Sequence, residues 1–132
     1  MERVMDLVRI HREVAVAQQN FAFVECHPTP AGSLQVLAAL QTTQSRLYTL
    51  AIAFPDNYPN SMPTVTVRKP ELLSYAPHRY KAGNICYLHP SMWNPGRHSL
   101  TEVIARSAKW LGKYDVWLAS GGTKWPGASI AH

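Results

Sequence analysis

Cys86 lies in the stretch Tyr80-Lys81-Ala82-Gly83-Asn84-Ile85-Cys86-Tyr87-Leu88, with His78 before it and His89 and His98 after it. A glycine and polar neighbours place this thiol on a loop. A loop thiol is a candidate nucleophile, whereas a thiol in an apolar strand is usually packing. Chemistry open to such a group includes acyl transfer, in which a thiolate takes an activated carbonyl and yields it to a second nucleophile such as an amine. A free cysteine titrates at about 8.5, and positive charge nearby lowers that value. Arg79, Lys81 and the histidines are the charges at hand. His78 or His89 is a candidate general base, raising the thiolate fraction or deprotonating the incoming amine. His78 also has a structural reading, fixing the loop through a bond to a backbone carbonyl; for His89 and His98 the alternative is a structural or solvated role. The second thiol, Cys26, ends the strand-like run Phe21-Ala22-Phe23-Val24-Glu25-Cys26 and is expected to pack as a small hydrophobe.

Two other constellations do not carry chemistry. Cys86-x-x-His89 with His78 and His98 offers four metal-capable side chains, but the spacings form no paired zinc motif, so neither a metal nor a cofactor is expected. Gly121-Gly122 before a short tail has the look of a removable C-terminus, yet a long helix precedes it and the β-grasp order of elements is missing.

The bulk composition sets the frame. A chain of 132 residues with 46% hydrophobic content buries one core, so residues 1–132 are expected to form one domain, with 123–132 as a short tail. Two cysteines are too few for a disulfide scaffold, which points to free thiols in a reducing compartment. The net charge of +5 is dispersed over thirteen cations with no nucleic-acid motif among them; a basic face fits an acidic protein partner instead. There is no apolar run of membrane-spanning length, and Glu2 and Asp6 interrupt any signal-like start. A cytoplasmic protein is the expectation.

The elements that must position Cys86 follow from periodicity. Residues 2–20 hold Val4, Leu7, Val8, His11, Val14, Ala15 and Gln18 at helical spacing, without Gly or Pro. Strands are expected at 21–27, 33–42, 47–54 and 64–67, the first three joined by short turns and hence antiparallel. Pro55, Pro59 and Pro63 take the chain out of the sheet between the third and fourth. Residues 71–97 are long for a connection, and Tyr75, Tyr80, Tyr87 and Trp93 are the anchors for an ordered functional loop. Ser99 with Glu102 predicts a capping box opening a second helix. Its stripe of Leu100, Val103, Ile104, Ala108 and Leu111 is expected to continue through Tyr114, Trp117 and Leu118 to Gly121-Gly122. Asp115 has two readings, orienting an amine near the thiol or lying on a solvated helix face. The fold class is α+β, helices packed against one sheet.

Three of these segments, in this order, resemble the ubiquitin-conjugating (UBC) family. They are Phe54-Pro-x-x-Tyr58-Pro59-x-x-x-Pro63, then Gly83-Asn84-Ile85-Cys86, then Trp93-x-Pro95 followed by the helix at Ser99-Leu100. The resemblance covers residues 2–118 and implies a UBC-like fold: N-terminal helix, four-stranded meander, active-site loop and one main C-terminal helix, without the two further C-terminal helices of eukaryotic members. It implies Cys86 as the thioester-forming residue. The family places an asparagine before the nucleophile to support the oxyanion; here Pro77-His78-Arg79-Tyr80 occupies that region, with Tyr80 where the asparagine is expected. Asn84 and Asn94 are candidate substitutes, and Trp93 is expected to be wall. The short form and its Trp125-Pro126-Gly127 ending resemble prokaryotic members in cyclic-oligonucleotide-based anti-phage signalling (CBASS) operons. That implies transfer of a protein C-terminus, from a cGAS-like nucleotidyltransferase or a ubiquitin-like protein, with an activating enzyme as a further partner. A catalytically weak binding module that holds a partner is the alternative; a cysteine hydrolase would need a histidine and acid motif not evident here.

Overall fold

The computed structural model describes residues 5–127; the expected helix start at 2–4 and the tail end at 128–132 lie outside the described residues. Helix α1 (Leu7–Asn20) precedes strands β1 (Phe23–Pro28), β2 (Leu34–Gln41), β3 (Leu47–Ala53) and β4 (Thr64–Lys69). A single 3-10 turn, Pro90–Met92, follows within the long loop, and α2 (Leu100–Ala119) is the last described helix. The strands pair in chain order, all antiparallel, as short turns between β-branched and aliphatic runs require. Val24, Val36, Ala38, Leu50, Ile52 and Val65 alternate onto the covered face. Phe23 and Leu47 are exposed. Cys26 is half-buried against the core, close to its expected role.

The face of α1 differs from the one its spacing suggested. Ile10, Val14 and Ala17 are buried together with Glu13, whereas Leu7 and Val8 are exposed. A charged residue occupies the inner stripe because three donors meet it there. Glu13 accepts from the Tyr58 hydroxyl at 2.5 Å and from the Leu100 N–H at 2.7 Å, and it pairs with Arg9. The Leu100 N–H is the first orphan donor of α2, so α2 is capped from α1. Ser99 is extended and makes no side-chain cap bond, which overturns the expected capping box.

Helix α2 runs unbroken past Gly112, burying Leu100, Val103, Ile104, Leu111, Tyr114 and Trp117. Asp115 fits neither of its readings. Its carboxylate is buried against the β2–β3 hairpin, accepting from the Thr42 and Tyr48 hydroxyls and from Arg46 Nε at 3.3 Å. It fastens the far end of α2 to the sheet.

Candidate active site

The loop that carries Cys86 is held from several sides. Arg79 donates to the Leu73 carbonyl at 2.9 Å and to the Gly83 carbonyl at 3.3 Å, closing the loop on itself. Gly83, at φ 97°, makes the turn that returns its N–H to Tyr80 O at 2.8 Å, a conformation that favours glycine. Ile85 N–H reaches Val65 O on β4 at 2.9 Å. His78 is left-handed at φ 59°, costly for a side-chain-bearing residue, and its carbonyl accepts from both Cys86 N–H at 2.9 Å and Trp110 Nε1 at 3.1 Å. The His78 carbonyl thereby ties the Cys86 segment to α2.

Ile85, Cys86, Tyr87 and Leu88 are all buried, and the cysteine is 0% exposed. The open loop thiol of the sequence reading is thus drawn inward by its apolar neighbours. Its Sγ lies 3.1 Å from the Tyr80 hydroxyl and 3.7 Å from the Leu88 carbonyl. Burial pushes the Cys86 thiol above its ordinary value, with the Tyr80 hydroxyl opposing part of that rise. The expected electropositive lowering is not realised, since Arg79 is spent on carbonyls and Lys81 is exposed. Tyr80 is itself pushed up to about 12, by burial first and then by its bond to Cys86, so it remains a proton donor at neutral pH.

Buried is not sealed. Cys86, His78 and Tyr87 line a cavity of about 200 Å³ whose other wall is α2, through Arg106, Lys109, Trp110 and Lys113. Trp125 completes it, its ring 4.9 Å from that of His78 and 5.2 Å from that of Trp110. Gly121 and Gly122 make this possible: both are left-handed, at φ 75° and 79°, and reverse the chain after α2. A Cβ on Gly122 would sit 3.3 Å from the Trp117 and Tyr75 rings, so the reversal is tight as well as left-handed. A thiol in this position can attack an electrophile small enough to enter the cleft.

The remaining candidates lie outside this cleft. Asn84 lines a second groove with Tyr80, Tyr87 and Pro63. His89 caps the 3-10 turn, its Nδ1 accepting from Ser91 N–H at 3.2 Å. Trp93 donates to Pro59 O at 2.8 Å and stacks on His98 at 5.4 Å. Asn94 accepts from Gly96 N–H at 2.9 Å and serves its own turn.

The matched segments can now be compared with known proteins. A family profile described as type II CBASS E2 protein matches residues 13–132. The chain belongs to that family. Among curated proteins none matches. Among solved structures, the Vps23 UEV in a complex with ubiquitin superposes with a TM-score of 0.59 at 16% identity, covering 82% of this chain and 84% of that one. The likeness establishes a UBC-like fold, as the sequence segments implied.

In this CBASS E2 protein the residues that sequence reading missed are Arg106, Lys109, Trp110 and Lys113, which stand within two turns of α2, with Trp125 folded back onto them. The cations looked dispersed in a linear count; helical spacing, i, i+3 and i+7, was the signal that would have gathered them. Among the described residues no helix is long and apolar enough to cross a membrane.

The direction of the thiol's shift gives a direct test. The folded protein holds the Cys86 thiol above its ordinary value, chiefly through burial. Only the thiolate is alkylated, so in Cys26→Ala protein the iodoacetamide rate at Cys86 should climb about tenfold per pH unit from 7 to 9. It should still be rising at pH 9. A plateau below pH 8 would show a thiol activated by charge rather than restrained by burial.

Proposed function

We propose that this protein is a ubiquitin-conjugating-like transferase in which Cys86 accepts the C-terminal carbonyl of a protein as a thioester and passes it to an amine of a target. The observation that carries this reading is the placing of the Cys86 sulfur, in the wall of a cleft and 3.1 Å from a hydroxyl that stays protonated. Tyr80 stands where the related enzymes' asparagine is expected, and its hydroxyl donates to the oxyanion that forms beside Sγ. His78, in the same cavity, receives the thiol proton. Membership in the type II CBASS E2 family supports a protein partner from the same defence system. A cGAS-like nucleotidyltransferase supplies the transferred chain end; a ubiquitin-like protein is the other candidate, and an activating enzyme supplies the energy.

One observation favours a second reading, a UBC-fold module that holds a partner without catalysis. The thiol has no accessible surface and its value is raised, not lowered. The two readings separate in one experiment. Purified protein is incubated with the candidate partner and an activating system, and a dithiothreitol-sensitive adduct is sought. Cys86→Ala should abolish the adduct and Cys26→Ala should leave it. An adduct that survives Cys86→Ala removes the assignment, and partner binding with no adduct from wild type favours the module.

A further inference from the structure

The chain that leaves α2 turns back across the cleft. Cys86 is 0% exposed and Trp110 4%, whereas Trp125, which lines the same cavity, is half-buried. A side chain that faces a cavity and solvent at once stands at the rim. The Trp125 ring bridges that rim, 4.9 Å from the His78 ring on the loop wall and 5.2 Å from the Trp110 ring on the helix wall. Beyond it, Pro126 lines the neighbouring groove with Thr42 and Thr43. Gly127 passes Lys113 so closely that a Cβ there would lie 3.5 Å from Nζ. Residues 120–127 therefore cross the cleft from one side to the other.

What fastens this segment is local. Ser120 Oγ accepts from the Thr123 and Lys124 N–H groups at 3.2 and 3.0 Å, and Thr123 Oγ1 donates to Ser120 O at 2.9 Å. The Gly121 and Gly122 N–H groups return to Leu118 O and Trp117 O, both at 3.0 Å. All of these bonds end at the last turn of α2 or on Ser120, and the segment meets the loop wall through the packing of Trp125 on His78. Residues 120–127 hold no acid, and Lys124 has the same sign as Arg106, Lys109 and Lys113 on the helix wall, so charge does not lock the segment down. Its pivot is Gly121–Gly122, where both residues are left-handed and a glycine changes conformation at little cost.

We propose that residues 120–127 are an autoinhibitory strap, with Trp125 as the plug that closes the cleft over Cys86 and Gly121–Gly122 as the hinge about which it opens. The strap stands whatever Cys86 reacts with; that its opening controls acyl capture rests on the transfer reading above. Closed, it leaves room for a small electrophile in a cavity of about 200 Å³ and shuts out a polypeptide segment. Opening also brings water to a thiol that burial holds above its ordinary value, so access and ionisation rise together. The competing account gives the strap no part in access: Ile85, Tyr87 and Leu88, buried beside Cys86, shield it by themselves.

Reagent size reads the gate. In Cys26→Ala protein, Cys86 is alkylated in parallel with iodoacetamide and with a bulky fluorescein maleimide. Both require the thiolate, so the ratio of the two rates cancels any change in the thiol's titration. Adding Trp125→Ala should raise the maleimide rate relative to the iodoacetamide rate by about tenfold. Ser120→Ala, which frees the Thr123 and Lys124 N–H groups without touching the cleft, should raise the same ratio by less. Circular dichroism checks the fold, and Ser120→Ala alone carries the test should Trp125→Ala not fold. A ratio unchanged in the folded variants overturns the strap and leaves Cys86 free to be the acceptor. With a candidate partner and an activating system, thioester formation should quicken in the order wild type, Ser120→Ala, Trp125→Ala. A raised ratio with slower thioester formation would make Trp125 part of the acyl site and overturn autoinhibition. A raised ratio with no dithiothreitol-sensitive adduct from any of the proteins supports the strap and removes the transfer reading.

Discussion

Replacing Tyr80 with phenylalanine is expected to slow acyl capture on Cys86 by about a hundredfold or more while the protein remains folded. Removing one donor from a developing oxyanion typically costs on the order of 10²–10³ in rate. Here the hydroxyl is 3.1 Å from the sulfur that the proposed transfer bonds to the reacting carbon, so an oxyanion on that carbon would form within its reach. The group holds its proton to about 12, which keeps it a donor across the working range. A competing explanation is that Tyr80 acts only by favouring the thiolate, since its bond opposes the upward shift of Cys86. Two measurements on the same variant distinguish them. An oxyanion donor predicts a large fall in single-turnover thioester formation with little change in iodoacetamide alkylation. If both rates fall by the same factor, Tyr80 tunes the sulfur and does not touch the transition state.

Much of this site could be read from the chain. The strands were visible because period-two alternation and the prolines at 55, 59 and 63 leave few alternatives, and β1–β4 occur where expected within a residue or two. The loop that carries Cys86 was visible because Gly83 and the polar residues around it exclude a regular element. What could not be read is what depends on partners remote in sequence. Glu13 looks like a surface residue until Tyr58 and Leu100, 45 and 87 positions away, turn it inward. The inner face of α1 was misplaced for that reason. Asp115 was misjudged in the same way, because its donors Thr42 and Tyr48 come from a hairpin that local pattern cannot bring near. Cys86 itself was read as open, since one glycine and polar flanks outweighed four successive buried positions, 85–88, whose burial only the packed fold decides. Trp125 was assigned to a plain tail, although two consecutive glycines before it signalled a reversal.

The largest expected change in stability follows from the acid that local pattern hid. Glu13→Ala should destabilise the protein by roughly 3–5 kcal/mol, the range found when one partner of a buried charged pair is removed. Three groups lose their acceptor together: the Arg9 guanidinium, the Tyr58 hydroxyl and the Leu100 N–H at the start of α2. Arg9 also donates to Pro95 O at 2.7 Å and His98 O at 3.0 Å, so its position sets the exit of the long loop that carries Cys86. A domain of this size has about 5–15 kcal/mol to lose, and the variant should show a sharply lower urea midpoint with an unchanged slope. Glu13→Gln keeps the one oxygen to which Tyr58 and Leu100 both donate but gives up the charged acceptor facing Arg9, and should cost roughly 1–3 kcal/mol. Because the same contacts anchor the first turn of α2 and the segment leading to it, the variants should also loosen the cleft. Alkylation of Cys86 under native conditions is therefore expected to quicken in the order wild type, Gln, Ala. A Glu13→Ala protein with a wild-type urea midpoint would mean that water serves these three donors as well as the carboxylate does.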